Sequence, residues 1–484
     1  MFDLARENEA AHYFEMSKKY GNLVFLSVLG KHILFANDFR TAYELFEKRG
    51  SNYSDRARSP MINDLMGWDW SFGHMPYGEK WKTHRKMFHQ QFQQSVAPIH
   101  WPTQTREAHV LIRSLLYSPQ DLINHLRHNA ASTIMNVTYG ITVSPKDDRY
   151  ITVAEKALDG MAKAANPGAF LVEVLPFREY PPSCLQEWFP GAGFKRKARE
   201  WREAVMEMKD APFEEITKTL KEGTASPCFV SNLIMDLDSK GDQDRETTME
   251  TIKGCAGLAY GGESVSALTS FVLAMVLHPE VQIKAHQELD AVIGRGRLPT
   301  FDDRASLPYI GAISKEILRW NPVAPLGLPH MITNDDEYNG YFIPAGTIVI
   351  GNSWTILHNP ETFPDPLKFN PDRFLDPCRP FATNDRGNPI PELSTSDPLS
   401  ASFGYGRRIC PGRFMAEAQV WISVACMLSV FTIGKGVDEN GNEVEAAPAF
   451  SSGMICHPLP FKFSIKPRGE WVKNLIEQTA DLAP

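Results

Sequence analysis

Apolar residues recur along the chain with two different periods. From about residue 76 to 292 they are mostly three and four positions apart, which is the pattern of amphipathic helices. Three shorter stretches are instead typical of strands. "GNLVFLSVLGKHILFAND", with Gly30 at its turn, predicts a hairpin, "FIPAGTIVIGN" predicts a second strand pair, and "PFKFSIKP" predicts a strand near the C-terminus. The pattern therefore predicts a mainly α chain with a minor β portion.

One long predicted helix, over about residues 246 to 278, contains several glycines. "GLAYGGESVSAL" places Gly257, Gly261 and Gly262 inside an otherwise helical pattern. Each glycine in a helix interior costs roughly 1 kcal/mol relative to alanine, so their presence requires a reason. Either a neighbouring element packs closely against them, or a flat ligand approaches the backbone there.

Composition narrows the class of protein. The chain has 484 residues, of which 43% are hydrophobic and 22% charged, and this is ordinary globular composition. A net charge of −8 gives no overall field that attracts nucleic acid. No stretch reaches the about 20 apolar residues that cross a bilayer. No shift of composition marks a second domain, so residues 1–484 are predicted to form a single domain.

The seven cysteines are never spaced as C-x-x-C, which argues against a disulfide framework or a zinc ribbon. Cys410 stands out because it lies in "FGYGRRICPG", at the start of a helix-like run. Pro411 and Gly412 are expected to begin that helix and to place the sulfur at its positive end. Arg407 and Arg408 are expected to add positive charge, so the surroundings favour a thiolate.

A single thiolate in this setting fits one kind of site best. Zinc needs about four ligands, and no partner Cys or His lies at metal spacing. A nucleophilic cysteine needs a paired base, and the sequence shows none. The axial position of haem iron needs only the one sulfur.

The same ten residues resemble the F-x-x-G-x-R-x-C-x-G haem loop of the cytochrome P-450 superfamily. The five fixed positions match this sequence and are Phe403, Gly406, Arg408, Cys410 and Gly412. Further family motifs follow one another in the expected order along almost the whole chain, which is most similar to the fungal microsomal members. The resemblance implies the cytochrome P-450 fold, with haem b (iron protoporphyrin IX) between a long distal helix and the cysteine loop. It makes Cys410 the iron ligand.

"KEILRW" resembles the E-x-x-R pair of the family. Glu316 and Arg319 are three positions apart on one helix face. Taken alone, such a pair is usually a surface salt bridge of little value. The resemblance completes it with Arg373 of "FNPDRF" and implies a buried structural triad beneath the haem.

Contacts to the haem propionates are also implied by the resemblance. "WKTHR" places Trp81 and Arg85 four positions apart, as in the W-x-x-x-R motif of the family. Arg408 from the cysteine loop and His330 in "PLGLPHMI" are the other implied contacts.

The glycine-rich helix resembles the [AG]-G-x-[DE]-T motif with two departures. The chain has Tyr260 in place of the small residue and Ser264 in place of threonine. Serine keeps the hydroxyl, so Glu263 and Ser264 are the expected catalytic residues that deliver protons to bound oxygen. The bulk of Tyr260 is expected to alter the shape of the groove.

The resemblance predicts an oxidoreductase that inserts one oxygen atom from O2 into a lipophilic small molecule. Trp68, Trp70 and Met454 are candidate walls of an apolar pocket, with core packing as the alternative. Electrons are expected from NADPH through NADPH-cytochrome P-450 reductase, with cytochrome b5 as a second donor. No nucleic-acid partner is expected.

The resemblance also predicts where the protein works. The expected native protein is a monomer of secondary metabolism, attached to the cytoplasmic face of the endoplasmic reticulum membrane by an N-terminal anchor. That anchor is absent from this chain, which is itself expected to be soluble.

Two other classes stay open at this point. One is a peroxide-driven or rearranging haem-thiolate enzyme, which needs no reductase and no acid–alcohol pair. The other is a non-catalytic haem sensor or electron carrier, which needs no large pocket. The retained Glu263 and Ser264 favour the monooxygenase over the first of these.

Overall fold

The chain folds as a mainly helical protein with small sheets, as predicted. The computed structural model describes residues 9–28, 30–166, 169–173, 193–240, 244–261, 264–375 and 397–479. The α-helices of these residues are α1 Glu9–Tyr20, α2 Phe39–Tyr43, α3 Glu79–Phe92, α4 Trp101–Tyr117, α5 Leu122–Tyr139, α6 Arg149–Ala165, α7 Gly193–Lys221, α8 Phe229–Lys240, α9 Arg245–Ala259, α10 Val265–Leu277, α11 Pro279–Val292, α12 Pro308–Trp320, α13 Ser353–Leu357, α14 Leu399–Ser402, α15 Arg413–Val430 and α16 Trp471–Glu477.

The strands form one four-stranded sheet and two strand pairs. Their bounds are β1 Leu23–Val28, β2 Lys31–Ala36, β3 His330–Met331, β4 Asp336–Tyr338, β5 Tyr341–Ile343, β6 Ile348–Gly351, β7 Phe431–Lys435 and β8 Phe463–Pro467. The larger sheet has the order β1-β2-β6-β3, β4 pairs with β5, and β7 pairs with β8. β1 and β2 are the predicted antiparallel hairpin, and Gly30 turns it with a φ of +78° that few other residues adopt.

The second predicted strand pair is wrong in its pairing. "FIPAGTIVIGN" does supply two strands, β5 and β6, but they do not pair with each other. β5 is antiparallel to β4, whereas β6 runs parallel to β2 and antiparallel to β3. The alternation of apolar residues predicts a strand but not its partner, and here β6 inserts between strands from distant parts of the chain.

The core is built around helices that are apolar on every side. Nearly every residue of α10 is buried, and α15 is buried from Ala418 to Val430, as expected for helices that pack on all faces. α12 packs against both of them. Because α15 is fixed in this core, the loop that precedes it, which contains Cys410, has a firm support.

The predicted single helix over 246 to 278 is wrong. α9 ends at Ala259 and α10 begins at Val265, with Tyr260 and Gly261 in a turn. The glycines weaken helix propagation at this point, and the break brings Gly261 and Ser264 to a cavity. Gly262 and Glu263 lie outside the described residues.

Gly257 is explained by close packing against a neighbouring side chain and not by the approach of a ligand. A Cβ atom at this position would come within 3.0 Å of the Trp70 ring, which is closer than packed atoms ordinarily approach. Trp70 therefore lies against α9 as a packing residue, and the prediction that it forms a cavity wall is wrong.

Among the described residues, no single helix has the length and hydrophobicity needed to cross a bilayer. α10 and α11 meet the criterion only when they are taken together, and a 104° bend separates them.

Candidate active site

A cavity of about 380 Å³ opens on Cys410. One wall is the loop from Ser402 to Gly412, and the opposite wall is the end of α9 with the start of α10. The side walls are largely apolar and include Trp68, Leu158, Met161, Val323, Met454 and Ile455. The cavity thus lies between the two elements that the resemblance places on either side of haem. Trp68 and Met454 are in its lining, as predicted.

The backbone of the cysteine loop depends on glycine. Gly404 and Gly406 have φ values of +79° and +57°, which disfavour residues with a Cβ atom. At Gly406 a Cβ would also lie 2.2 Å from the Phe46 carbonyl oxygen. Cys410 N–H donates to the Phe403 carbonyl at 2.8 Å, and α15 begins three residues after the cysteine, with Gly412 at its N-cap. These features hold the sulfur at the cavity wall.

The charges that act on the sulfur differ from those expected. Burial raises the pKa of the Cys410 thiol, and the Gly412 N–H, Arg85 and Arg413 lower it in part. Arg407 is not among these causes, because it is exposed and donates to the Tyr77 hydroxyl. Because burial has the larger effect on the pKa of Cys410, these groups alone do not stabilise the thiolate. A metal cation bound to the sulfur would stabilise it.

Arg408 lines the cavity and is bound by backbone carbonyls. Its guanidinium donates to the carbonyl oxygens of Ser54 at 2.7 Å, Phe72 at 3.1 Å and Met75 at 2.8 Å. It also lies over the Trp81 ring, 4.5 Å from the centroid. Trp81 and Arg408 are therefore neighbours, although they are far apart in the sequence.

Three arginines, Arg56, Arg85 and Arg408, line the cavity without an ion-pair partner among the described residues. Burial lowers the pKa of Arg85 and of Arg408 to about 10. Burial and the charge of Arg408 lower the pKa of Arg56 well below its usual value. Asp55 offsets the shifts of Arg56 and Arg408 only in part. Neighbouring cations that are removed from water are costly, so this cluster can hold an anion.

Arg56 was missed by the sequence analysis. It donates to the Gly73 and Pro329 carbonyls at 3.1 and 2.7 Å, and only 8% of its surface is exposed. It lies in "SDRARSP", a loop with no helical or strand period, where an arginine is usually solvated. Arg58, two positions later, is such a residue: it is 74% exposed and pairs with Asp64. No local signal separates the two arginines.

His330 is buried beside the same arginines. Its Nδ1 lies 2.7 Å from the Tyr53 carbonyl and therefore carries a proton, which leaves Nε2 as an acceptor in the neutral ring. Burial and Arg56 hold the pKa of His330 well below its ordinary value. A carboxylate in the cavity would counter both effects, so His330 can donate to a propionate only as the charged ring.

These residues fit haem. The Cys410 thiol faces a cavity with largely apolar walls, and arginines that form no ion pair among the described residues match the two propionates of the cofactor. In the described part of the chain, no group of three or more His, Cys, Asp or Glu residues could hold a metal ion by itself. Cys410 would hold the iron, while Arg56, Arg85, Arg408, Trp81 and His330 would surround the propionates.

The structure brings Glu316, Arg319 and Arg373 together in the core. Arg319 donates to the two carboxylate oxygens of Glu316 at 2.7 and 2.8 Å, and Arg373 Nε donates at 3.1 Å. The exposed fractions of the three side chains are 0, 0 and 4%. The backbone N–H of Asn370 adds a bond of 2.8 Å to the carboxylate. The pair is therefore a buried network and not a surface salt bridge.

Of the two expected catalytic residues, the structure describes Ser264. It lines the cavity and is half-buried, and among the described residues its hydroxyl has no hydrogen-bond partner. The alternative in which Ser264 bonds back to the carbonyl four residues earlier is therefore not what the structure shows. Ser266 is turned away, because its hydroxyl donates to the Cys456 carbonyl.

Comparisons with known proteins agree with this geometry. The family model described as "Cytochrome P450" matches residues 1–464. A cytochrome P450 monooxygenase of Armillaria gallica is 43% identical over 99% of this chain and 91% of its own length. Cytochrome P450 monooxygenase 98 of Postia placenta is also 43% identical, over 96% of this chain and 87% of its own. Tryptamine 4-monooxygenase of Psilocybe cyanescens is 38% identical over 97% and 90%.

Proposed function

This chain belongs to the cytochrome P450 family and is an oxygen-incorporating oxidoreductase, and from that premise we propose that its substrate is an uncharged, lipophilic small molecule. The proposed cofactor is haem b, with electrons from NADPH through a flavoprotein reductase. The observation that carries the proposal is the cavity itself, which has largely apolar walls beside Cys410 and is lined by three arginines but by no Asp or Glu among the described residues.

Different residues of the cavity would bind the cofactor, bind the substrate and move a proton. When bound, the haem would supply the oxidation of the substrate. Cys410 would hold the iron, and the three cavity arginines would balance the charge of the propionates. The apolar walls bind the substrate and exclude water. Ser264 places a hydroxyl at the cavity, where it can hold or pass on a proton.

A protonated amine is the runner-up substrate class, because the Psilocybe cyanescens relative is named for tryptamine. An ammonium group in a buried pocket needs a carboxylate partner. The described residues that line the cavity include no Asp or Glu, and they include three arginines. We therefore favour a neutral substrate for this chain.

A spectral titration tests the substrate class. Purified, haem-loaded protein is titrated with terpenoids, polyketide-like aromatics, fatty acids and tryptamine, and displacement of the water ligand is followed as a type I shift. Uncharged lipophilic compounds are expected to give the shift at low concentration. A tight shift with tryptamine and none with the neutral compounds would refute the proposal.

The electron source separates the monooxygenase from the peroxide-driven alternative. Product formation is measured with NADPH and reductase, and in parallel with hydrogen peroxide alone. We expect turnover to depend on NADPH and reductase. Efficient turnover with peroxide and none with the reductase would favour the alternative class, and haem binding without any turnover would favour a sensor.

We propose that the reductase docks on the exposed cations beside the cysteine loop. Lys82, Lys86 and Arg407 are exposed there, whereas Arg413 is half-buried and donates to the Cys410 carbonyl at 3.3 Å. Docking of opposite charges slows as salt rises. The reduction rate should fall with ionic strength and in Lys86→Glu, with Lys86→Arg as the control that keeps the charge. A rate independent of salt would contradict this docking mode.

We also propose, on the family resemblance alone, that the protein works at the cytoplasmic face of the endoplasmic reticulum membrane. A fluorescent fusion of the protein should give a reticular pattern in cells. A diffuse signal would contradict the proposal.

A further inference from the structure

His74 places a polar ring in the cavity lining, near the charges of Arg56 and Arg408. It lines the cavity and is half-buried. Its Nδ1 lies 3.3 Å from the Ser71 hydroxyl. Its other ring nitrogen, Nε2, has no hydrogen-bond partner in the part of the chain that the structure describes. The sequence analysis did not single out this residue.

The backbone on both sides of His74 is held by the two arginines of the cavity edge. Arg56 donates to the Gly73 carbonyl at 3.1 Å, and Arg408 donates to the carbonyls of Phe72 and Met75 at 3.1 and 2.8 Å. The His74 N–H itself donates to the Ser71 carbonyl at 3.0 Å. A group fixed in this way can bind a ligand without losing much conformational freedom.

The surroundings keep the His74 ring uncharged. Burial lowers its pKa to about 4, and the charges of Arg56 and Arg408 add to the effect. At neutral pH the ring therefore has one N–H and one lone pair. If Ser71 donates to Nδ1, then Nε2 is a donor, and if Nδ1 donates to Ser71, then Nε2 is an acceptor. A hydroxyl group can bond to either tautomer, whereas a carbonyl can bond only to the first.

We propose that Nε2 of His74 hydrogen-bonds an oxygen of the substrate and so orients it, and that the substrate is an apolar molecule carrying a hydroxyl or carbonyl group. The inference rests on the proposed function, since it concerns the same cavity. The inference adds a specific contact to the proposed function. A bound hydrocarbon would leave Nε2 without a hydrogen-bond partner, and an unmade buried hydrogen bond is unfavourable.

Two substitutions separate the ligand contact from a structural role. His74→Asn keeps a polar atom near the position of Nδ1, and so keeps the bond to Ser71, but it removes Nε2. His74→Gln extends an amide toward the position of Nε2. The probes are decalin, decalol and decalone, which differ only in their oxygen. Dissociation constants are measured by spectral titration of haem-loaded protein and by calorimetry.

In His74→Asn we expect decalol or decalone to bind about 3- to 10-fold more weakly than in the wild type, while decalin changes by less than about twofold. His74→Gln should recover most of the loss. A preference for decalol over decalone would identify Nε2 as the acceptor. Equal changes for all three probes in His74→Asn, or no change for any, would overturn the proposal.

Haem content and the reduced-CO spectrum are measured first on each variant. If His74 served a haem propionate instead, His74→Asn would lose haem and weaken all probes alike, which also overturns the proposal. A wild-type protein without a thiolate-type CO spectrum would refute the proposed function and not this contact. In that case, calorimetry of the three probes still reports whether Nε2 binds oxygen.

Discussion

Replacing Glu316 by alanine should prevent haem-loaded protein from accumulating, because it removes the anion of a buried network. The carboxylate is fully buried and accepts four hydrogen bonds, from Arg319 twice, from Arg373 and from the Asn370 N–H. Its loss takes the carboxylate from Arg319, which is 0% exposed, and removes one charged partner of Arg373, which is 4% exposed. Breaking such a pair costs about 3–5 kcal/mol, which corresponds to about 10²- to 10⁴-fold in the ratio of folded to unfolded protein.

Comparing Glu316→Gln with Glu316→Ala separates the loss of the negative charge from the loss of the hydrogen bonds. Three of the four bonds are made to Oε1 of Glu316, so Glu316→Gln can keep them if its amide oxygen takes that position. It should therefore be less damaging than Glu316→Ala, although it lacks the charge. The backbone carbonyls of Leu357 and Pro364, which accept from Arg319 and Arg373 at 3.0 Å, cannot replace a full negative charge.

The assay compares haem-loaded protein per cell, from the reduced-CO spectrum, with urea unfolding followed by tryptophan fluorescence. Glu79→Ala is the matched control, because Glu79 and Lys82 have the same three-residue spacing at 2.6 Å but are 88 and 50% exposed. An exposed pair contributes about 0–1 kcal/mol, so the control should behave like the wild type. Normal yield and normal unfolding of Glu316→Ala would show that this carboxylate does not stabilise the fold.

Three further predictions concern the cavity. Cys410→His should abolish the reduced-CO band of thiolate ligation, and an unchanged band would show that this sulfur is not the ligand. Arg56→Leu should speed the transfer of haem to apomyoglobin by about tenfold or more, as one of the buried cations is lost, while the exposed Arg58→Leu should have no effect; equal rates would remove Arg56 from the site. Ser264→Ala should keep haem and ligands but lower the ratio of product to NADPH and raise hydrogen peroxide, whereas Ser264→Thr should preserve coupling. An unchanged ratio of product to NADPH in Ser264→Ala would show that the hydroxyl does not deliver protons.

The glycine-rich stretch shows how far a local pattern can be interpreted. Its glycines indicate a disturbance of the helix, and the structure does break between α9 and α10. The sequence could not show why a glycine is needed at each position. Gly257 makes room for the ring of Trp70, which lies far away along the chain, whereas Gly261 lies at the cavity. Helix propensity is a property of neighbouring residues, but close approach depends on which distant side chain arrives.

Local sequence patterns were enough to predict the cysteine loop, the Glu316–Arg319 pair, the Trp81–Arg85 spacing and the helical class, because each depends on residues within one turn or on one helix face. The folded chain was needed to show that Arg85 and Arg413, and not Arg407 and Arg408, act on the Cys410 sulfur. It alone placed Arg56 and His74 at the cavity, through bonds between Arg408 and residues more than 300 positions earlier. The physical reason is that burial, charge pairing and pKa depend on distances through space, which folding sets independently of separation along the chain.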